Sequence, residues 1–211
     1  MVSSENRRIR ARLLSKKFPE SAHLLELYVQ LTLLQDDIAA NLPAEESGLV
    51  EFFPRLAALV PHIEHPLSDE AQRFFWRVVR QPYGCRNIGT GVGSRCPSCG
   101  SKPVVGVMRG EGDGAKRGLI CSISGSEWPY RRLICANCGE EDKNKLPVYT
   151  AAQIDYVRVE ACDTCRTYLK SVDLTKDGFA VPEVDEIATV ALNIWADENG
   201  YTKIETNVLG M

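Results

Sequence analysis

The sequence has no apolar run long enough to cross a bilayer as a helix, and its arginine-bearing start, "MVSSENRRIRARLLSKK", has no apolar stretch behind it. The first lack excludes a helical membrane span and the second a secretory signal, which needs an apolar core after its charges. A cytoplasmic protein is expected. An excess of positive charge is also missing: 25 Lys and Arg stand against 28 Asp and Glu, a net charge of −3. A general nucleic-acid binder needs a basic surface, so that class is not expected. The cluster Arg7, Arg8, Arg10, Arg12, Lys16 and Lys17 reads as a solvated helix face. Histidine is scarce, with three in the chain. Of these, His62 and His65 in "PHIEHP" are flanked by prolines, the setting of a surface loop.

What is present is an ordinary globular composition, 44% hydrophobic and 25% charged, over 211 residues. That length suits one large or two small domains. The first part reads as helical. Leu24, Leu27, Tyr28, Leu31 and Leu34 recur at three- and four-residue steps, with Ser21 placed to cap them. A second helix follows Pro54 through "RLAALV". A third starts at Ser68, whose hydroxyl can accept from first-turn amides, with Asp69 and Glu70 favourable to the helix dipole. Phe74, Phe75, Val78 and Val79 form its buried side. Three short helices make a thin core, which implies packing against the rest of the chain, a partner or a second copy. Glycines 84, 89, 91 and 93 then break all periodicity. They lack the preceding strand and the Lys-Ser/Thr of a phosphate-binding loop, so the stretch reads as a linker.

Beyond it, short β-branched segments alternate with turn signals, "KPVVGVM", "RGLIC", "RRLIC", "LPVYTA", "DYVRVEAC" and "YLKSVDL". A closing helix carries Val184, Ile187, Ala188, Ala191 and Trp195 on one face, with Gly200 as its left-handed terminator. The expected fold is α+β. A helical domain over 1–81 and a linker over 82–94 precede a β-rich domain of two tandem rubredoxin-like or zinc-ribbon modules over 95–175. A C-terminal helix and tail fill 176–211.

Seven of the eight cysteines lie between Cys96 and Cys165. A reducing cytoplasm argues against structural disulfides, and the repeated Cys-x-x-Cys unit argues for metal. Each such turn presents two sulfurs to one ion, and two turns complete a tetrahedral S4 site suited to zinc or a rubredoxin-type iron. Tandem pairing is natural. Cys96 and Cys99 would join the turn at Cys121 after 21 residues, and Cys135 and Cys138 would join Cys162 and Cys165 after 23. The turn "CSISGSEW" has Ser124 where a second cysteine belongs. Ser124, water or the outlying Cys85 would then complete the first site, which should hold metal more weakly than the second. Gly100 and Gly139 let backbone amides approach the sulfurs.

The run Arg117, Leu119, Cys121, Glu127-Trp128, Arg132 and Cys135-x-x-Cys138, followed by "VEACDTCRTYLK", resembles the formate dehydrogenase accessory protein FdhE family. The resemblance extends to "HLLELYVQLTLLQ" and to "ENGY". It implies a cytoplasmic maturation factor, not an enzyme, with a helical domain and two rubredoxin-like modules. Such a factor binds the catalytic subunit of formate dehydrogenase and permits its activation, with iron as the metal and zinc the alternative. It implies Cys96, Cys99, Cys121, Cys135, Cys138, Cys162 and Cys165 as ligands. Glu127, Trp128, Arg132, Tyr168 and Lys170 carry over as signature positions without an assigned role. The departures are Ser124 and a shorter portion ahead of Cys96.

For these positions, Trp128 reads as a packing residue and Arg132 as a partner for Glu127 or a carbonyl. Tyr168 and Lys170 share a strand face that could be core or interaction surface. Two other classes of function compete. A zinc-ribbon module for nucleic acid or a transcription complex would need a basic stripe through Arg109, Lys116, Arg117, Arg131 and Arg132. An enzyme would use an open metal position at Cys96, Cys99 and Cys121, but no histidine or carboxylate pair is spaced to serve as its base.

Overall fold

The computed structural model describes residues 2–61, 68–83 and 93–211. His62, His65, Cys85 and most of the glycine-rich stretch lie outside the described residues, so the readings placed on them are not addressed.

Among the described residues, four α-helices build the first part. α1 (Ser4–Lys17) starts on Ser3, whose hydroxyl accepts from the Asn6 amide at 3.2 Å, and buries Ala11 and Leu14. α2 (Ala22–Ala40) buries Leu25, Tyr28, Val29, Leu31, Leu34 and Ile38. Its apolar face is wider than the predicted stripe because α1 and α4 both pack on it. α3 (Phe53–Leu59) is short, and α4 (Asp69–Tyr83) begins as expected, with the Ser68 hydroxyl accepting from the Ala71 amide at 3.2 Å. Ala71, Phe75, Val78 and Val79 are buried on it, with Phe74 at the margin.

The basic cluster of α1 is not a solvated face throughout. Arg12, Lys16 and Lys17 are exposed, but Arg7, Arg8 and Arg10 are half-buried and paired. Arg10 forks onto the fully buried Asp185 carboxylate at 3.0 and 2.6 Å and also reaches Asp177 at 2.7 Å. A planar guanidinium suits such bidentate pairing.

The second part is a single seven-stranded sheet. Its strands are β1 (Pro103–Glu111), β2 (Gly114–Cys121), β3 (Glu127–Pro129), β4 (Val148–Thr150), β5 (Val157–Cys162), β6 (Thr167–Asp173) and β7 (Thr202–Lys203). The order is β3-β2-β1-β6-β5-β4, with β7 beside β6. Two antiparallel three-stranded units are thus fused by parallel pairing of β1 with β6, from Gly106–Ser171 to Met108–Asp173. Glycine eases the close approach at the seam, since a Cβ on Gly106 would lie 2.1 Å from the Ser171 Oγ and 3.2 Å from its Cβ.

The C-terminal helix predicted as one is two, α5 (Pro182–Ala188) and α6 (Val190–Glu198), broken at Thr189. Breaking a helix frees carbonyls that need other donors. Here the Lys170 ammonium reaches the carbonyls of Glu186 and, at 3.2 Å, Thr189. The Ser21 hydroxyl donates to the Ala188 carbonyl at 2.7 Å, so Ser21 closes α5 and makes no side-chain cap on α2. The break also turns the apolar face: Leu192 and Ala196 are buried in α6, while Ala191 is exposed. α6 ends at Gly200, φ +76°, as predicted.

The main core lies between the helices and one face of the sheet. A smaller one, formed by Cys96, Leu119, Cys121, Trp128, Ala136, Leu169 and Ile204, lies among the cysteine turns.

Candidate metal centre

Each cysteine unit is a tight turn with one backbone pattern. In the turns opening at Cys96, Cys121 and Cys135, the first cysteine's amide donates to the carbonyl five residues on, at 2.9, 3.0 and 2.9 Å. The amide four residues on donates back to that cysteine's carbonyl, at 2.8, 3.2 and 3.1 Å. That fourth residue has positive φ in every turn: Gly100 +72°, Gly125 +65°, Gly139 +79°, and Arg166 +54° in the turn opening at Cys162. Left-handed backbone favours glycine, and Arg166 accepts it where its guanidinium covers the Tyr201 ring at 4.1 Å and donates to the Asn199 carbonyl at 2.7 Å. The glycine amides serve the cysteine carbonyls. The sulfurs receive the amides inside the turn, Asn137 and Cys138 onto Cys135 at 3.3 and 3.5 Å, Ile123 and Ser124 onto Cys121 at 3.4 Å each. The 121–126 turn has therefore kept the knuckle conformation without its second thiol.

The turns pair in tandem. Cys135, Cys138, Cys162 and Cys165 bring their four sulfurs within 4.8 Å of one another, with Cys135–Cys165 and Cys138–Cys162 both at 3.7 Å. A tetrahedron with metal–sulfur bonds of ~2.3 Å has a sulfur–sulfur edge of about 3.8 Å, so these thiols fit an ion without rearrangement. Cys96, Cys99 and Cys121 form the second group within the same limit, with Cys99–Cys121 at 3.4 Å. The Ser124 Oγ stands 3.6 Å from the Cys96 sulfur, where a fourth thiol would be, and donates to the Ser126 Oγ at 3.0 Å. A neutral hydroxyl is a weak donor atom beside thiolates. Among the described residues, no histidine or carboxylate joins either group.

Burial pushes the Cys121 and Cys162 thiols up to about 12, so without a cation both stay protonated at neutral pH. Burial opposes ionisation of Cys165 too, but hydrogen bonds led by the Thr167 hydroxyl at 3.0 Å outweigh it and hold this thiol at about 6. A thiol cluster of this kind, buried at Cys135 and Cys162 and open to solvent at Cys138, suits a divalent or trivalent ion, which would supply the charge that deprotonates the remaining thiols.

The signature positions support the turns from behind. Trp128 is buried, its indole donating to the Gly93 carbonyl at 3.1 Å. Glu127 pairs with Arg109 at 2.7 Å and not with Arg132, its side chain crossing β2 over Gly118, where a Cβ would lie 2.9 Å from the Glu127 Oε1. Tyr168 and Lys170 are core on the helix-facing side, not an exposed surface, and Lys170 pairs with the equally buried Glu186 at 3.0 Å. The sequence offered no signal for the role of Arg117. Its guanidinium holds the carbonyls of Arg131 and Ile134 at 3.2 and 3.3 Å and the Glu160 carboxylate at 2.5 Å, tying the first unit to the second. The postulated basic stripe is largely neutralised: Arg109, Lys116, Arg117 and Arg131 pair with Glu127, Glu111, Glu160 and Glu141, and of the five only the exposed Arg132 has no ion pair among the described residues.

Residues 95–132 match the family model described as FdhE, central domain, and residues 133–209 the one described as FdhE, C-terminal domain. The boundary falls between the two cysteine groups. The protein FdhE homolog of Aquifex aeolicus (strain VF5) is 36% identical over 163 residues, covering 74% of this chain and 58% of the relative. That of Haemophilus influenzae (strain PittGG) is 34% identical over 113 residues, covering 53% and 37%. The chain thus spans between about a third and three fifths of these relatives' length. The crystal structure of the FdhE protein from Pseudomonas aeruginosa has the same fold, with a TM-score of 0.73 over 99% of this chain and 96% of that one at 22% identity. No helix among the described residues is long and apolar enough to cross a membrane.

Proposed function

Because the chain belongs to the FdhE family, we propose that it is a non-catalytic, metal-binding accessory protein that assists assembly or activation of a formate dehydrogenase catalytic subunit in the cytoplasm. The observation that carries this reading is the four-thiol cluster at Cys135, Cys138, Cys162 and Cys165 beside a three-thiol cluster on the same sheet. The closed cluster would hold iron of the rubredoxin type, or zinc, as a permanent part of the fold. The other cluster, at Cys96, Cys99 and Cys121, would hold an ion less tightly. Four thiolates leave no exchangeable position, which favours a structural or recognition role over turnover.

The test is capture of partners by the tagged chain from an extract that contains formate dehydrogenase. Recovery of the catalytic subunit is expected, and its absence from an extract shown to contain it sinks the reading. Metal analysis of anaerobically purified protein decides the ion, since a ferric tetrathiolate absorbs in the visible and zinc is colourless.

A further inference from the structure

Between α4 and the first two cysteine turns lies a groove of about 600 Å³. Arg73, Arg77 and Arg80 enter it from α4, Arg95 from the residue before Cys96, and Lys102 from the approach to β1. Asp69 and Glu205 are the carboxylates in its walls. Arg80 is engaged elsewhere, paired with Glu46 and lying over the Trp76 ring at 4.9 Å. Among the described residues, Arg73, Arg77, Arg95 and Lys102 have no ion-pair partner within 4.0 Å, whereas most cations of the second half of the chain have a carboxylate partner.

Like charges gathered in one concavity repel and focus a positive potential into it. The half-buried Arg77 shows the cost: burial pulls its pKa below the usual guanidinium range, Arg73 adds to the pull, and Glu205 opposes it only in part. On a chain of net charge −3, such a concentration of unmatched cations needs a reason. Arginine forks on opposite walls match phosphate oxygens, and four unmatched cations against two carboxylates leave the charge that a diphosphate would neutralise. The volume lies in the range of small-ligand sites, and the cations converge on one space instead of following a stripe as they would for a long polymer.

We propose that this groove is a binding site for a small molecule carrying a diphosphate group, held by Arg73, Arg77, Arg95 and Lys102. It does not rest on the formate dehydrogenase reading. The buried Ser122 and its neighbour Ile123 line the same groove, so the ligand would lie against the Cys121 turn.

The experiment is titration calorimetry of the full chain at low salt with inorganic diphosphate and, separately, adenosine diphosphate, with bound metal measured before and after. One equivalent is expected to bind, with affinity falling as salt rises. Arg73→Gln and Lys102→Gln, on opposite walls and each with an unchanged melting temperature, should each weaken binding about tenfold or more. Tighter binding of the nucleotide identifies an organic ligand, and equal binding an inorganic one. Absence of binding, affinity unmoved by both substitutions, or heat that merely tracks loss of metal overturns the proposal.

Discussion

The Ser124 hydroxyl and the Cys96 sulfur lie 3.6 Å apart across the first cluster, close to the 3.7 Å separations between opposing thiols in the second. The serine occupies the place of a ligand in a turn whose backbone is already that of a ligand turn. Its substitution therefore changes donor chemistry without needing a new conformation.

Ser124→Cys should raise metal affinity at the first cluster at least ~10-fold, or about 1.4 kcal/mol, and raise the metal content per chain. Competition against a chelator, with total metal analysis, checks this. An affinity equal to wild type would mean that the hydroxyl already ligates as well as a thiolate.

Cys165→Ser should leave the second cluster with the three-thiol donor set of the first, weaken its hold on an ion at least ~10-fold and loosen β4 to β6, because metal bound by a folded site contributes directly to folding stability. A chelator should lower the melting temperature of Cys165→Ser at a lower concentration than that of the wild type. Acidification should also release metal, since proton competition restores the buried Cys162 thiol, whose metal-free pKa is about 12. Differential scanning calorimetry with and without chelator reads both effects.

Glu186→Gln should cost ~3–5 kcal/mol, because it leaves the fully buried Lys170 ammonium without its carboxylate. Burial alone would raise the Glu186 pKa, but Lys170 and Lys203 outweigh it and hold the group at about 2 against 4.5 when unfolded. A depressed carboxylate stabilises above its unfolded pKa and loses that contribution as pH falls through the folded value. The gap in urea midpoint between wild type and variant should therefore be full at pH 5 and shrink steadily toward pH 2.

Arg10→Lys should destabilise nearly as much as Arg10→Met, in the range of ~2–4 kcal/mol, because an ammonium cannot reproduce the fork onto Asp185. Asp185 would keep the Tyr156 hydroxyl at 2.8 Å and the Val181 amide at 2.7 Å, so folding should survive. Urea unfolding of the two variants compares them. Full rescue by lysine would show that charge, not geometry, joins α1 to α5.

Much of this protein is legible from sequence because its signals are local. The Cys-x-x-Cys turns, the left-handed Gly200, the Ser68 cap and the buried side of α4 all follow from residues within a few positions of one another, whereas the Gly100 and Gly139 amides, expected at the sulfurs, bond the Cys96 and Cys135 carbonyls. The pairing of the turns could be argued from their spacing, and the missing thiol at Ser124 from the repeat. What the sequence could not reveal depends on residues far apart along the chain. Arg10 meets Asp185 across 175 positions, Arg117 meets Glu160 across 43, and Ser21 meets Ala188 across 167. No periodicity marks such pairs. Packing alone decided that β1 and β6 join two small units into one sheet, that Lys170 turns inward to end α5, and that unmatched cations from α4 face the first cysteine turns. The first two balance the desolvation of polar or charged groups against partners that only the folded chain brings near, and the third gathers like charges from segments far apart in the sequence.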